Sequence, residues 1–170
     1  MTDSADQTGP DQSEQDQPTT RIPPHQLAAA RLRAVQALYT LEQDQDATVQ
    51  EVVSDFVNRV RHEDVDDDGS AAVVADADLM GRIIRGVMGR TEDIDGIVQG
   101  GLSEKHSVGR LESVLRQILR AGVFELLMHH DTPAPIIIND YIEIGHAFYE
   151  GKEPKLVNAV LDKASKVLRG

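Results

Sequence analysis

The stretch that decides the fold reads Asp131-Thr132-Pro133-Ala134-Pro135-Ile136-Ile137-Ile138-Asn139-Asp140-Tyr141-Ile142-Glu143-Ile144, and after a short break Lys155-Leu156-Val157-Asn158-Ala159-Val160-Leu161-Asp162-Lys163. Pro133 and Pro154 stand where a first-turn proline is tolerated, and Gly151 separates the two runs. The pattern predicts a helical hairpin. Each run carries one Asn among Ile, Leu and Val. Asn is a mediocre helix former because its amide competes for backbone hydrogen bonds. The expectation is that Asn139 and Asn158 make a specific polar contact inside the hairpin.

Upstream, apolar residues recur at helical spacing. Leu27, Ala30, Ala34, Leu38 and Leu41 share one face of a helix predicted from about Leu27 to Gln43, with Arg33, Gln36 and Thr40 opposite. A second helix is predicted from about Val49 to Val60, and a third from near Asp76 or Asp78, either of which suits a cap or first turn. A fourth, from about Arg90 to Val98, stops at Gly100-Gly101. The fifth is predicted from about Val108 to His129, with Ser107 as its cap. It is apolar over most of its circumference, which places it at the centre. No stretch alternates at period two, so the class is all-α.

Composition narrows the function. The chain has 170 residues and no Cys, which removes disulfides and thiolate chemistry. No apolar run approaches the ~20 residues of a membrane span, and the N-terminus has no basic start followed by an apolar segment. A cytoplasmic location is expected. The net charge is −12. Residues 1–20 hold five acids and residues 62–78 hold seven, neither with any Lys or Arg, so the other residues balance at seventeen acids and seventeen bases. A basic patch on the folded part is therefore compatible with the overall charge. Residues 1–24 are expected to form a disordered acidic tail, and 25–170 the ordered domain.

Candidate chemistry is sparse. Asp64-Val65-Asp66-Asp67-Asp68-Gly69 matches the opening of a calcium loop, but position twelve is Ala75 rather than a bidentate Glu, which favours a solvated acidic loop. His129 and His130 are neighbours, and adjacent helical side chains point about 100° apart, away from a common metal. No nucleophile-elbow or phosphate-loop pattern occurs, so no enzyme, metal or cofactor is expected. Arg120 and Glu125 interrupt the central helix and are expected to be hydrogen-bonded between helices, because buried charges persist only when paired. On the first helix, the Arg31 stem is expected to pack while its head emerges at an edge. Arg33 is expected to be exposed, and Tyr39 to offer an aromatic plate at the flank. Arg with Tyr on one helix is a minimal platform for single-stranded RNA, with charge for phosphate and ring for base.

Four motifs occur in order: Ala34-Val35-Gln36-Ala37-Leu38-Tyr39; Ile118-Leu119-Arg120 with Phe124-Glu125-Leu126; Ile138-Asn139; and Val157-Asn158-Ala159-Val160-Leu161-Asp162-Lys163. Together they resemble the NusB family of bacterial transcription antitermination factors, over about residues 25 to 168. The resemblance implies about seven helices in two packed three-helix subdomains and a non-enzymatic role. It implies pairing with NusE, a small-subunit ribosomal protein, and joint binding of boxA-type RNA in ribosomal RNA leaders. Other Nus factors and RNA polymerase then follow indirectly, and terminators in ribosomal RNA operons are read through. A homodimer is compatible with it, since oligomeric state varies in the family.

The residues expected to meet RNA are Arg31, Arg33, Gln36, Tyr39 and Arg116; Lys152 and Glu153 are the candidates for NusE. Removing Arg31 and Arg33 together is expected to weaken RNA binding and leave the fold intact. The chain departs from the family pattern where an Arg-rich stretch usually precedes the first motif. Here it reads His25-Gln26-Leu27-Ala28-Ala29-Ala30, leaving Arg31 and Arg33. Fewer phosphate contacts mean lower affinity and a flatter salt dependence. The rival expectation is a protein–protein adaptor of the same fold with weakened or lost RNA binding.

Overall fold

The computed structural model describes residues 21–62 and 75–170. Within them lie seven helices: α1 (Pro24–Gln43), α2 (Val49–His62), α3 (Ala77–Gly89), α4 (Thr91–Gly101), α5 (Ser113–Met128), α6 (Ala134–Phe148) and α7 (Glu153–Arg169). The described residues contain no strand. No helix among them is long and apolar enough to cross a membrane. The acidic residues 63–74, with most of the calcium-like sequence, lie outside the described residues, as do residues 1–20.

α1, α2 and α3 pack on one another. α5, α6 and α7 form the second group, and α4 joins it by lying against α5 and α7. The expected pair of three-helix groups is therefore three helices beside four. α5 joins the groups by also packing on α1 and α3, and one continuous core runs through both. The cause is the sequence of α5: Leu115, Gln117, Ile118 and Leu119, then everything from Ala121 to Leu126, is buried. A helix apolar nearly all round has to be enclosed by others. Close approach needs two glycines. A Cβ on Gly86 would lie 2.1 Å from the Phe124 ring, and one on Gly122 would meet Leu161 at 2.8 Å.

The helix ends test the sequence reading. The Asp76 carboxylate accepts from the Leu79 amide at 2.7 Å, capping α3 as expected. Ser107 does not cap α5. A short 3-10 turn spans Val108–Arg110, Leu111 is extended, and α5 begins at Ser113 with the Glu112 carboxylate accepting from the amides of Val114 and Leu115. Gly100 and Gly101 lie inside the last turn of α4 rather than after it, and neither has a positive φ. Gly101 is there for packing, since a Cβ would meet Val160 at 2.9 Å.

The hairpin of α6 and α7 is present, but its polar contact is not the expected one. Ile137, Tyr141 and Ile144 on α6 and Val157, Val160, Leu161 and Ala164 on α7 are its buried residues. Asn139 is about 200° around the helix from Ile137 and Tyr141. Asn139 and Asn158 are both exposed, and neither side chain hydrogen-bonds to a described residue. The buried polar group of the hairpin is Tyr141, whose hydroxyl donates to Glu125 at 2.7 Å. α7 closes the fold from its far end. The Arg169 guanidinium donates to the carbonyls of Glu125, Leu126, His129 and Thr132, which satisfies acceptors that the end of α5 leaves open.

Candidate nucleic-acid interface

The outward side of α1 turns toward α2, and the two helices frame a groove of about 400 Å³. Arg33, Gln36 and Tyr39 reach it from α1, Phe56 and Arg59 from α2, and Phe148 from the end of α6. Among the described residues no acidic side chain lines it, though Asp55 pairs with Arg59 at its rim. In a chain of net charge −12 this is a selective arrangement of cations. Tyr39 and Phe148 are 40% and 42% exposed, so two aromatic faces meet solvent. The Arg33 Nη1 donates to the Gln36 amide oxygen at 3.3 Å. The Arg59 guanidinium sits 5.6 Å from the centre of the Phe56 ring. Cations, amide and exposed rings supply the elements for phosphate contact and base stacking.

Three of the five expected RNA residues meet at this groove, and two do not. Arg31 is 2% exposed, so its head does not emerge at an edge. Its Nε and Nη2 donate to the Glu125 carboxylate at 2.7 and 3.0 Å, and its Nη1 donates to Asp140 at 2.8 Å. Tyr141 and His129 complete the cluster, with His129 Nδ1 3.2 Å from Glu125. Burial works against the Arg31 charge, but Glu125 outweighs it and its pKa is raised. Burial likewise works to raise Glu125; hydrogen bonds with His129 and Arg31, the Arg31 charge and Tyr141 hold it below the ordinary 4.5. Burial carries Asp140 above its ordinary 3.8 despite Arg31. A guanidinium committed to two carboxylates inside the protein is structural, and removing it would strand Glu125. The expected edge position of Arg31 is corrected accordingly, and its loss carries a stability cost that an exposed arginine would not.

Arg116 is also spent inside the molecule. It pairs with Glu42 and donates to the carbonyls of Val108, Gly109 and Leu111 at 3.1, 3.3 and 2.9 Å, stitching the 3-10 turn to α5. Its hydrogen bond holds Glu42 below the usual carboxylate range. Arg120 and Glu125 are bonded between helices as expected, Arg120 gripping Asp95 with two bonds of 2.7 Å. Lys152 and Glu153 lie at the turn into α7, away from the groove. Lys152 is exposed, and one oxygen of the half-buried Glu153 has no partner.

Sequence reasoning missed Phe56, Arg59 and Phe148. Phe56 was legible as core only, and the polar flank of α2 gave no reason to choose Arg59. Phe148 carried a weak signal, as an aromatic at the end of a helix. Among the described residues no cluster of three or more His, Asp or Glu side chains is placed to hold an ion.

Fold and groove together define an all-α binding protein with an open cationic, aromatic groove. The NusB family model matches residues 28–166, and the chain belongs to the NusB family. The transcription antitermination protein NusB of Sinorhizobium medicae is 39% identical over 155 residues, 91% of this chain and 94% of that protein. A solved T. maritima NusB structure superposes with a TM-score of 0.68 at 27% identity, covering 86% of this chain and 92% of the other. A crystal structure of antitermination factors NusB and NusE in complex with double-stranded RNA matches in fold, with a TM-score of 0.65 at 23% identity over 84% of this chain and 97% of that one.

Proposed function

We propose that the protein is a transcription antitermination factor that binds RNA together with NusE and so helps RNA polymerase pass terminators in ribosomal RNA operons. The observation that carries the RNA part is the groove where Arg33, Gln36 and Tyr39 meet Arg59 and Phe148, cations beside exposed aromatic rings. The NusE part rests on family membership and on the NusB–NusE complex of like fold. Exposed Tyr39 and Phe148 suit unstacked bases, which only a single strand or loop can present. The expected ligand is therefore single-stranded boxA-type RNA. Arg31 and Arg116 are committed to partners inside the protein, which assigns them to the fold rather than to RNA. Lys152 and Glu153 are candidate NusE contacts at the start of α7. The role is that of an adaptor, working in the cytoplasm beside the polymerase, and it needs no catalytic group.

The burial of Arg31 leaves α1 with one cation at the groove, which gives the adaptor-only reading its substance. One titration separates the two. The full chain is mixed with single-stranded boxA-type RNA, with and without NusE, at two salt concentrations, and with a duplex as control. RNA retention enhanced by NusE and weakened by salt supports the proposal. NusE binding with no RNA enhancement supports the adaptor-only reading, and preference for the duplex overturns base stacking.

A further inference from the structure

Once Arg31 turns inward, α1 presents only Arg33 to the groove. One guanidinium is a thin hold on a polyanion. The structure places a second on the opposite wall. Arg59 belongs to α2, and its guanidinium is held 5.6 Å from the centre of the Phe56 ring, one helical turn back. Phe56 is itself 8% exposed and fixed in the core. The ring supports the cation at the groove rim, where stacking leaves the N–H edges of a guanidinium available. The Arg59 side chain is 63% exposed, and its pairing with Asp55 at 2.8 Å is open to solvent on both sides. Such exposed pairs are weak, whereas Arg–phosphate bonds are charge-assisted and often bidentate.

We infer that Arg59 is a second phosphate contact, supplied by α2 from a Phe56 platform, and that Asp55 competes with RNA for it. The strand then lies across the α1–α2 groove, with Arg33 and Arg59 on phosphates at its two walls and Tyr39 and Phe148 on the bases between. This deepens the proposed function and rests on it. It assigns to α2 a phosphate contact that the sequence reading sought on α1 and at Arg116 of α5.

The test is a double-mutant cycle read by RNA affinity. Labelled single-stranded boxA-type RNA is titrated with the full chain in the presence of NusE, across a salt series. Arg59→Ala is expected to reduce the salt slope by about 0.7, the value of one single-strand phosphate contact, which amounts to about fivefold weaker binding near 0.1 M salt. Asp55→Asn is expected to tighten binding by roughly two- to fivefold, and to lose that gain when Arg59 is already Ala. Both positions are exposed, so unfolding midpoints should not move. An unchanged salt slope in Arg59→Ala overturns the inference, as does an equal gain from Asp55→Asn in both backgrounds. Tyr39→Ala separates the two levels. If it weakens binding while Arg59→Ala does not, only this inference fails; if neither does, the RNA reading of the groove fails with it.

Discussion

Arg31 and Arg33 stand two residues apart on α1 and serve opposite ends. Arg31 faces the seam between the two helical groups, where it joins α1 to Glu125 of α5 and Asp140 of α6. Arg33 faces the groove with Gln36 and Tyr39. The rotation between them is about 200°, enough to carry one residue type from the core to a binding surface. A charge inside must be matched by fixed partners, and its removal breaks the structure. Arg33 is half-buried rather than exposed as expected, and its Nη1 bonds to a neutral amide on its own helix at 3.3 Å, a weaker hold than the two carboxylates on Arg31. The residue type alone does not say which role it plays; the packing of the helix does.

The largest effect that would sharpen this contrast is on stability. Arg31→Ala leaves the Glu125 carboxylate buried without its main partner, and a loss of about 3–5 kcal/mol is expected in urea unfolding. Arg33→Ala should cost less, about 1 kcal/mol or below, in the same unfolding measurement. Equal losses from the two would break the comparison. Next is Tyr39→Ala, expected to weaken RNA binding by about 1–3 kcal/mol, the worth of one stacked base, with stability unchanged. Smaller again, Arg33→Ala should lower the salt slope of RNA binding by about 0.7.

The smallest expected effect is on pH. Glu125 and Glu42 have folded pKa values below 4.5, so their stabilisation is complete above that value and fades as pH falls through the folded values. Asp140 has the opposite sign, because its carboxyl is raised and protonation in the folded state adds stability as pH falls. Stability is therefore expected to decline below about pH 4.5, and to decline more steeply in Asp140→Asn, which removes the opposing group. A flat profile down to pH 3, measured by urea midpoints, would show the seam carboxylates to be unimportant.

Much of the fold was legible because helical periodicity reports burial directly. The core face of α1 and the central place of α5 followed from spacing, and residue type narrowed the cap of α3 to Asp76 or Asp78, of which Asp76 is the one used. What was not legible depended on tertiary neighbours. Asn139 and Asn158 looked like internal contacts because they sit in apolar runs, but the packing stripes pass beside them. Arg31 looked like an edge residue because the carboxylates that draw it inward are 94 and 109 positions away in sequence. Arg59 was invisible for the same reason: only the folded α1–α2 pair brings it opposite Arg33.

The central claim is that the outward side of α1 binds RNA while its inward side holds the fold. It is tested most directly by RNA affinity in the presence of NusE for the double variant Arg33→Ala, Tyr39→Ala, with the unfolding midpoint measured on the same sample. The account predicts RNA binding weakened by at least tenfold, a loss of about 1.4 kcal/mol or more, in a variant that stays folded. Undiminished affinity in that folded variant would contradict it.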